Sequence, residues 1–226
     1  MTITINKKEY PLHTLDTGAQ ELSKKRWDSI AKPLHSLGKM EDLVIQTAGI
    51  TGDANVTYDK KALIVMCADN GVVAEGVTQS EQNVTAIVSE NFLSDKATAA
   101  ILCKQTGAEI FPIDIGIAVD TKLENHKIAY GTKNMAKEPA MTREEAERAM
   151  EVGIEKVREL SGQGYKIIAT GEMGIGNTTT SSALASYFLQ EDVEKMTGRG
   201  AGLTSKALEK KIAVVRKAIA DYSPAF

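Results

Sequence analysis

The chain has 226 residues, 42% of them hydrophobic, with 27 basic against 30 acidic side chains and a formal net charge of -3. That apolar content supports a substantial core in one large domain, or one domain with a small appendage, and excludes a disordered chain. Lys and Arg are scattered, so the composition provides no electrostatic footprint for nucleic acid as a partner.

The segment 19–48 reads as helical, with Trp27, Ile30 and Ala31 on one face and a break at Pro33. Met40, Leu43, Val44 and Thr47 continue the apolar spacing in a second helix, so residues 1–50 form an N-terminal helical part. Residues 51–226 read differently, as strands alternating with helices. The run 62–68 is continuously apolar and too short for a buried helix, as expected of a central parallel strand. Helices follow over 81–92, with Val84, Ile87, Val88 and Phe92 inward, and over 96–105. The next strand is 109–116, with Pro112 arguing against a fully central position.

Thr142-Arg143-Glu144-Glu145 is a capping-box pattern that opens a long helix to about residue 160. An apolar run over 165–170 reads as a buried strand, a glycine-rich turn begins at Gly171, and 178–189 reads as a helix. Thr204 caps a last helix with Leu208, Ile212, Val215 and Ile219 on one face. The βαβα order predicts an α/β fold, a parallel sheet flanked by helices.

In such folds ligands bind beyond the carboxyl ends of the strands. Asp69-Asn70-Gly71, Asp114-Ile115-Gly116 and Gly171-Glu172 all fall at that edge, and Thr197-Gly198-Arg199-Gly200-Ala201-Gly202 precedes the last helix. Asp69, Asp114, Gly116 and Arg199 are therefore candidate residues of the site's edge. The turn 171–180, GEMGIGNTTT, lies between strand and helix, where converging amides and the helix N-terminus suit a phosphate. Glu172 brings a carboxylate beside that anion, so it must face another part of the ligand, such as a sugar or a leaving group.

Familiar alternatives are excluded. The turn has no Gly-Lys-Ser/Thr and no Gly-x-Gly-x-x-Gly with a following acid, so neither a nucleoside triphosphate nor a dinucleotide is indicated. Paired acids for magnesium and diphosphate are missing. His13, His35 and His126 are far apart and match no zinc pattern, so neither metal nor cofactor is expected. Cys67 and Cys103 read as buried reduced thiols. No signal-peptide pattern or bilayer-length apolar run is found, so the expectation is a soluble cytoplasmic protein without a membrane partner.

The GEMGIGNTTT turn closely resembles the signature of the nicotinate-nucleotide–dimethylbenzimidazole phosphoribosyltransferase family. Matching stretches occur in order: 67–80 (CADNGVVAEGVTQS) with Val84-Thr85 and Asn91-Phe92 after it, then Asp114-Ile115-Gly116, then 197–203 (TGRGAGL). Near the start, Arg26-Trp27-Asp28-Ser29, Lys32-Pro33 and 36–41 also resemble the family. The resemblance implies a Rossmann-like large domain, a smaller helical domain that includes the N-terminal region, and a homodimer. It also implies transfer of phosphoribose from nicotinate mononucleotide to a benzimidazole, for the nucleotide loop of cobamides. A nicotinate bound through its ring nitrogen leaves as a neutral pyridine, so no metal-bound diphosphate is required.

On that resemblance, the Gly174 and Gly176 amides, with Asn177 and Thr178, are assigned to phosphate and ribose, and Lys211 to the phosphate. Glu172 corresponds to a family glutamate that stabilises the cationic sugar, and Thr78, Ser80 and Gln82 are candidate liners of the acceptor pocket. Ser80 and Glu81 stand where the family often has tyrosine and proline, which leaves the acceptor base open among benzimidazole, adenine and a phenol. His35, where the family commonly has glycine, is open between a site contact and a surface loop residue.

Family members run longer, and their C-terminal part carries a Gly-Glu-Gly-like motif whose glutamate is the general base. This chain reaches Phe226 straight after a helix and contains no second motif of that kind. It is therefore expected to be part of a longer enzyme, with weak mononucleotide binding and little transfer. The rival expectation is a non-catalytic nucleotide-binding or sensor module built on the same fold.

Overall fold

A computed structural model describes residues 1–222, in two compact units that divide between Asp59 and Lys60. Residues 223–226, on which the reading of an early stop rests in part, lie outside the described residues.

The first unit opens with an antiparallel hairpin, β1 (Thr2–Ile5) and β2 (Lys8–Pro11), which the purely helical reading of residues 1–50 did not foresee. Its two-residue turn is Asn6-Lys7, both at positive φ (46° and 63°), the geometry that matches strand twist. Helix α1 (Thr17–Ser29) is capped by Asp16, whose side chain accepts from the Ala19 amide at 2.9 Å. Helix α2 (Lys39–Thr51) pairs with it. The buried helix positions are Ala19, Ser23, Glu41, Ala48 and Gly49; of the residues placed on the apolar faces, Trp27, Val44 and Thr47 are half-buried and Ile30, Met40 and Leu43 are exposed. Buried Glu41 is matched by Lys32 Nζ at 2.8 Å, and that hydrogen bond holds its carboxyl below the usual range. His35, at positive φ (54°) and exposed, stands 3.9 Å from the other Glu41 oxygen.

The second unit is an α/β sandwich. Its parallel sheet runs β5-β4-β3-β6, with β3 (Lys61–Ala68) between β4 (Ala108–Gly116) and β6 (Ile167–Met173), and with β5 (Glu124–Asn125) on the other side of β4. Alternate β3 residues serve opposite faces. Val65 and Cys67 pack with Phe92, Ala97 and Ala100 of the α3 (Val84–Asn91) and α4 (Thr98–Thr106) side. Ala62 and Ile64 pack with Leu160 of α5 (Arg143–Gly162) and with Tyr165. Burial on both faces explains why the sequence of β3 shows no polar alternation. The capping box opens α5 as expected, with the Thr142 hydroxyl accepting from Glu145 N at 3.1 Å.

Three local expectations are corrected. On α3 the buried residues are Thr85 and Ser89, and Ile87 is exposed. Pro112 lies within β4, whose outer side meets only the two-residue strand β5 (Glu124–Asn125), where a missing N–H costs little. Strand β6 is not buried: Ile167, Ala169 and Thr170 are exposed, because among the described residues it pairs with β3 alone. It also runs through Gly171, Glu172 and Met173, so the turn shrinks to Gly174-Ile175-Gly176 before α6 (Asn177–Leu189). A short helix α7 (Val193–Met196) and the long α8 (Ser205–Tyr222) complete the unit. No helix among the described residues is long and apolar enough to cross a membrane.

Candidate functional site

The glycine turn opens onto a cavity of about 170 Å³ at the carboxyl end of β6. One wall is Met173, Gly174, Ile175, Gly176, Asn177 and Thr178, and another is Val77, Thr78, Gln79 and Ser80. The third is Arg199, Gly200, Ala201, Leu203 and Lys211. Of the residues singled out from sequence, Thr78, Ser80, Gly174, Gly176, Asn177, Thr178, Arg199 and Lys211 meet here.

The turn is glycine for steric reasons. A Cβ on Gly174 would overlap the Ala68 carbonyl oxygen and stand 2.9 Å from Asn70 Nδ2. Gly176 has φ 90°, and a Cβ there would sit 2.9 Å from Val73 Cγ2. Gly176 is also the N-cap of α6 and offers no side chain, so the helix's first amides have no capping acceptor. Asn177 N donates to Gly174 O at 3.1 Å and Thr179 N to Gly176 O at 2.9 Å. The amides of Gly176 and Thr178 have no acceptor among the described residues. Both belong to a helix N-terminus, which favours an anion.

Opposite these amides stands Lys211, 1% exposed, in the first half of α8. Its ammonium donates to Thr178 Oγ1 at 2.7 Å and Gly198 O at 3.0 Å. No carboxylate pairs with it among the described residues, and burial pushes its pKa below the ordinary lysine value. A buried cation without a counter-ion is costly, and an anion in the cavity would supply one. Gly200, at φ 54°, leaves room for this pair, because a Cβ there would crowd Thr178 Oγ1 at 2.9 Å.

Glu172 stands beside the cavity rather than in its lining. One carboxylate oxygen accepts from Asn177 Nδ2, and the other would be 3.0 Å from a Cβ on Gly174. Glu172 is exposed as a residue, yet desolvation of its carboxyl by the surrounding protein raises its pKa above the usual carboxylate value, and the Asn177 hydrogen bond works against that rise. The mouth is tied across by Gln79 Nε2, which donates to Gly202 O at 2.5 Å. Arg199 is committed to the start of α8, donating to Leu203 O at 2.7 Å and Ser205 Oγ at 3.1 Å.

Besides Glu172, four residues assigned from sequence do not line this cavity. Gln82 lies on the side of Gly131. Asp69 accepts from Ala118 N at 2.8 Å, and its own N–H donates to Gly116 O, which stitches the ends of β3 and β4 together. Asp114 is buried against the Lys127 ammonium at 2.8 Å and accepts from the Gly116 and Ile117 amides and the Thr121 hydroxyl. Gly116 lines a separate cavity of about 320 Å³ with Ile115, Tyr130 and Met141. Both acids accept from loop amides, and the second Asp69 oxygen is buried without a partner among the described residues.

Two contacts went unassigned in the sequence reading. Thr85 Oγ1 accepts from Ile175 N at 3.0 Å, and Asn70 Nδ2 donates to Ile175 O at 3.2 Å. The available signal was a buried polar pair, Thr85 and Ser89, at helical spacing on the core face of α3. Among the described residues no group of His, Cys, Asp and Glu is arranged to hold a metal.

A family model described as phosphoribosyltransferase matches residues 12–225. The nicotinate-nucleotide–dimethylbenzimidazole phosphoribosyltransferase of Acetivibrio thermocellus is 48% identical over 202 residues, covering 88% of this chain and 58% of its own length. That of Clostridium tetani is 43% identical over 230 residues, covering 99% of this chain and 64% of its own. The crystal structure of CobT from Thermus thermophilus superposes with a TM-score of 0.86 at 34% identity, over 92% of this chain and 64% of that one. The chain thus spans about three fifths of the length of these relatives. With its α/β sheet, glycine turn and near-complete match, the chain belongs to the phosphoribosyltransferase family of these relatives.

Proposed function

We propose that this chain carries the nicotinate mononucleotide site of an enzyme that transfers phosphoribose to 5,6-dimethylbenzimidazole or a related base, releasing nicotinate and forming α-ribazole phosphate. The observation that carries this reading is the buried Lys211 ammonium facing the uncapped start of α6, a cationic pocket without a counter-ion of its own. A 5′-phosphate placed there brings the ribose towards Glu172. The glycosidic bond to nicotinate breaks with its electron pair going to the ring nitrogen, which cancels the pyridinium charge. The anomeric carbon then takes the lone pair of one acceptor ring nitrogen, and the N–H proton on the acceptor's other ring nitrogen passes to solvent water. An ionised Glu172, held by Asn177, stabilises the positive charge that grows on the sugar. Thr78 and Ser80 line the wall on which an aromatic acceptor would lie.

The test is Glu172→Gln. Nicotinate release in the presence of the base is expected to fall about 100-fold or more, while the dissociation constant of the mononucleotide moves only a few-fold. The pH profile carries a second check. Glu172 is raised above the ordinary carboxylate value, so it loses its charge as pH falls through that raised pKa, and activity falls with it. The Gln variant loses this acidic limb. A change in affinity alone would favour a binding module, and no nicotinate release from the parent chain would remove the transfer step while leaving the binding site standing.

The same reading takes the protein to be a cytoplasmic homodimer. Its support is the apolar outer face of α6, where Leu184, Phe188 and Leu189 are each more than half exposed. Light scattering that finds a monomer at micromolar concentration would end it.

A further inference from the structure

We propose that Thr85 and Asn70 are positioning residues that hold the Gly174-Ile175-Gly176 turn in its anion-binding form before any ligand arrives; this rests on the reading of that turn as the phosphate site. Ile175 is gripped at both of its peptide groups by side chains from other elements. Its N–H donates to Thr85 Oγ1 at 3.0 Å, and its carbonyl accepts from Asn70 Nδ2 at 3.2 Å. Asn70 is in turn fixed by α6, because the Thr180 hydroxyl donates to Asn70 Oδ1 at 3.0 Å.

The clamp determines which amides are left for a ligand. Ile175 N is consumed by Thr85 and Asn177 N by Gly174 O, so the Gly176 and Thr178 amides are the two that keep no acceptor among the described residues. Without the clamp, a turn with two glycines has access to many backbone conformations, and the Ile175 amide can rotate to compete for the phosphate or turn away. Holding it shifts the entropic cost of ordering from the binding step to folding. Thr85 is well suited to this, being fully buried on the core face of α3, where its rotamer is locked by packing. Asn70 adds a second constraint. It extends from the end of β3 to both the turn and the first turns of α6, so β3, the glycine turn and the helix start move as one body.

The experiment compares Thr85→Val with Thr85→Ser. Valine keeps the shape and removes the acceptor, whereas serine keeps the hydroxyl and gives up the methyl group. Nicotinate mononucleotide and ribose 5-phosphate are the probes, followed by calorimetry, with amide exchange read at Ile175. Thr85→Val is expected to weaken both ligands about tenfold, the loss of one hydrogen bond's worth of order. It should also speed exchange of the Ile175 amide by a similar factor. Thr85→Ser should bind within about twofold of the parent and keep the amide protected, even though loss of the methyl group lowers its melting temperature. That split is the signature of positioning, because a merely structural role would make affinity follow stability in both variants.

Equal affinity for the parent and Thr85→Val, or identical losses in the Val and Ser variants, would overturn the proposal. If Thr85→Val does not fold, Asn70→Ser replaces it and must weaken the same two ligands with faster Ile175 exchange; unchanged binding there also overturns it. A parent protein that binds neither ligand points instead to failure of the phosphate-site reading, so the two failures are distinguishable.

Discussion

Gly174→Ala is expected to weaken nicotinate mononucleotide binding by roughly 10- to 150-fold, the loss of about 1.5–3 kcal/mol for a charged hydrogen bond from displaced turn amides. The cause is steric. The new Cβ would overlap the Ala68 carbonyl oxygen, a backbone atom of a central strand, and would meet Asn70 Nδ2 at 2.9 Å and Glu172 Oε1 at 3.0 Å. Strand β3 is paired on both sides, so the turn is what must yield. Overpacking of this kind costs about 1–3 kcal/mol. In a chain of this size that lowers the melting temperature by roughly 2–12 °C. Gly198→Ala is the matched control. Gly198 O accepts from Lys211 as Gly174 O accepts from Asn177, but a Cβ on Gly198 meets nothing within 4 Å, so binding should survive. Titration calorimetry on both variants decides the matter: retained affinity in Gly174→Ala would show that the phosphate sits elsewhere.

Lys211→Met has the second large effect. A hydrogen bond to a charged group is worth about 1.5–3 kcal/mol, so mononucleotide affinity should fall roughly ten- to 150-fold. Thermal stability should change far less, because relief of a desolvated ammonium offsets the donor lost by Gly198 O. The pH dependence has a definite sign. Burial lowers the Lys211 pKa in the free protein, and a bound phosphate raises it again. Binding therefore takes up a proton at alkaline pH, and affinity declines as pH rises through the free protein's Lys211 pKa. In Lys211→Met that alkaline decline should disappear. A variant that binds as tightly as the parent across the pH range would exclude Lys211 from the site.

Much of the architecture was legible in short stretches of residues. Strand β3 was evident because seven consecutive apolar residues are too few for a core helix, and α5 because Thr142 and Glu145 have the spacing at which each reaches the other's amide. The glycine turn was legible as a tight strand-to-helix connection because a Cβ at Gly174 or Gly176 would collide with neighbouring atoms. The hairpin at residues 1–11 was missed, since Asn-Lys is a weaker turn signal than Asn-Gly and the strands are only four residues each. Strand β6 was cut short because Gly171 and Glu172 are poor strand formers. Pairing of Val65 with Gly171 and Met66 with Glu172 overrides that preference.

The roles of individual polar groups lay beyond such reading. On α8 the apolar spacing pointed to Leu208, Ile212, Val215 and Ile219, yet the most buried side chains are Lys211 and Val215, and Lys211 meets Thr178 across 33 positions of chain. Asp69 and Asp114 stand at strand ends where ligand contacts were expected; Lys127 and neighbouring amides engage both Asp114 oxygens, whereas Asp69 accepts from Ala118 N through one oxygen and leaves the other buried without a partner among the described residues. Helix caps, turns and strand runs depend on residues a few positions apart, so the linear order contains them. Which amide stays open and which charge lacks a partner depends on groups brought together from distant segments, and packing alone assigns those pairings.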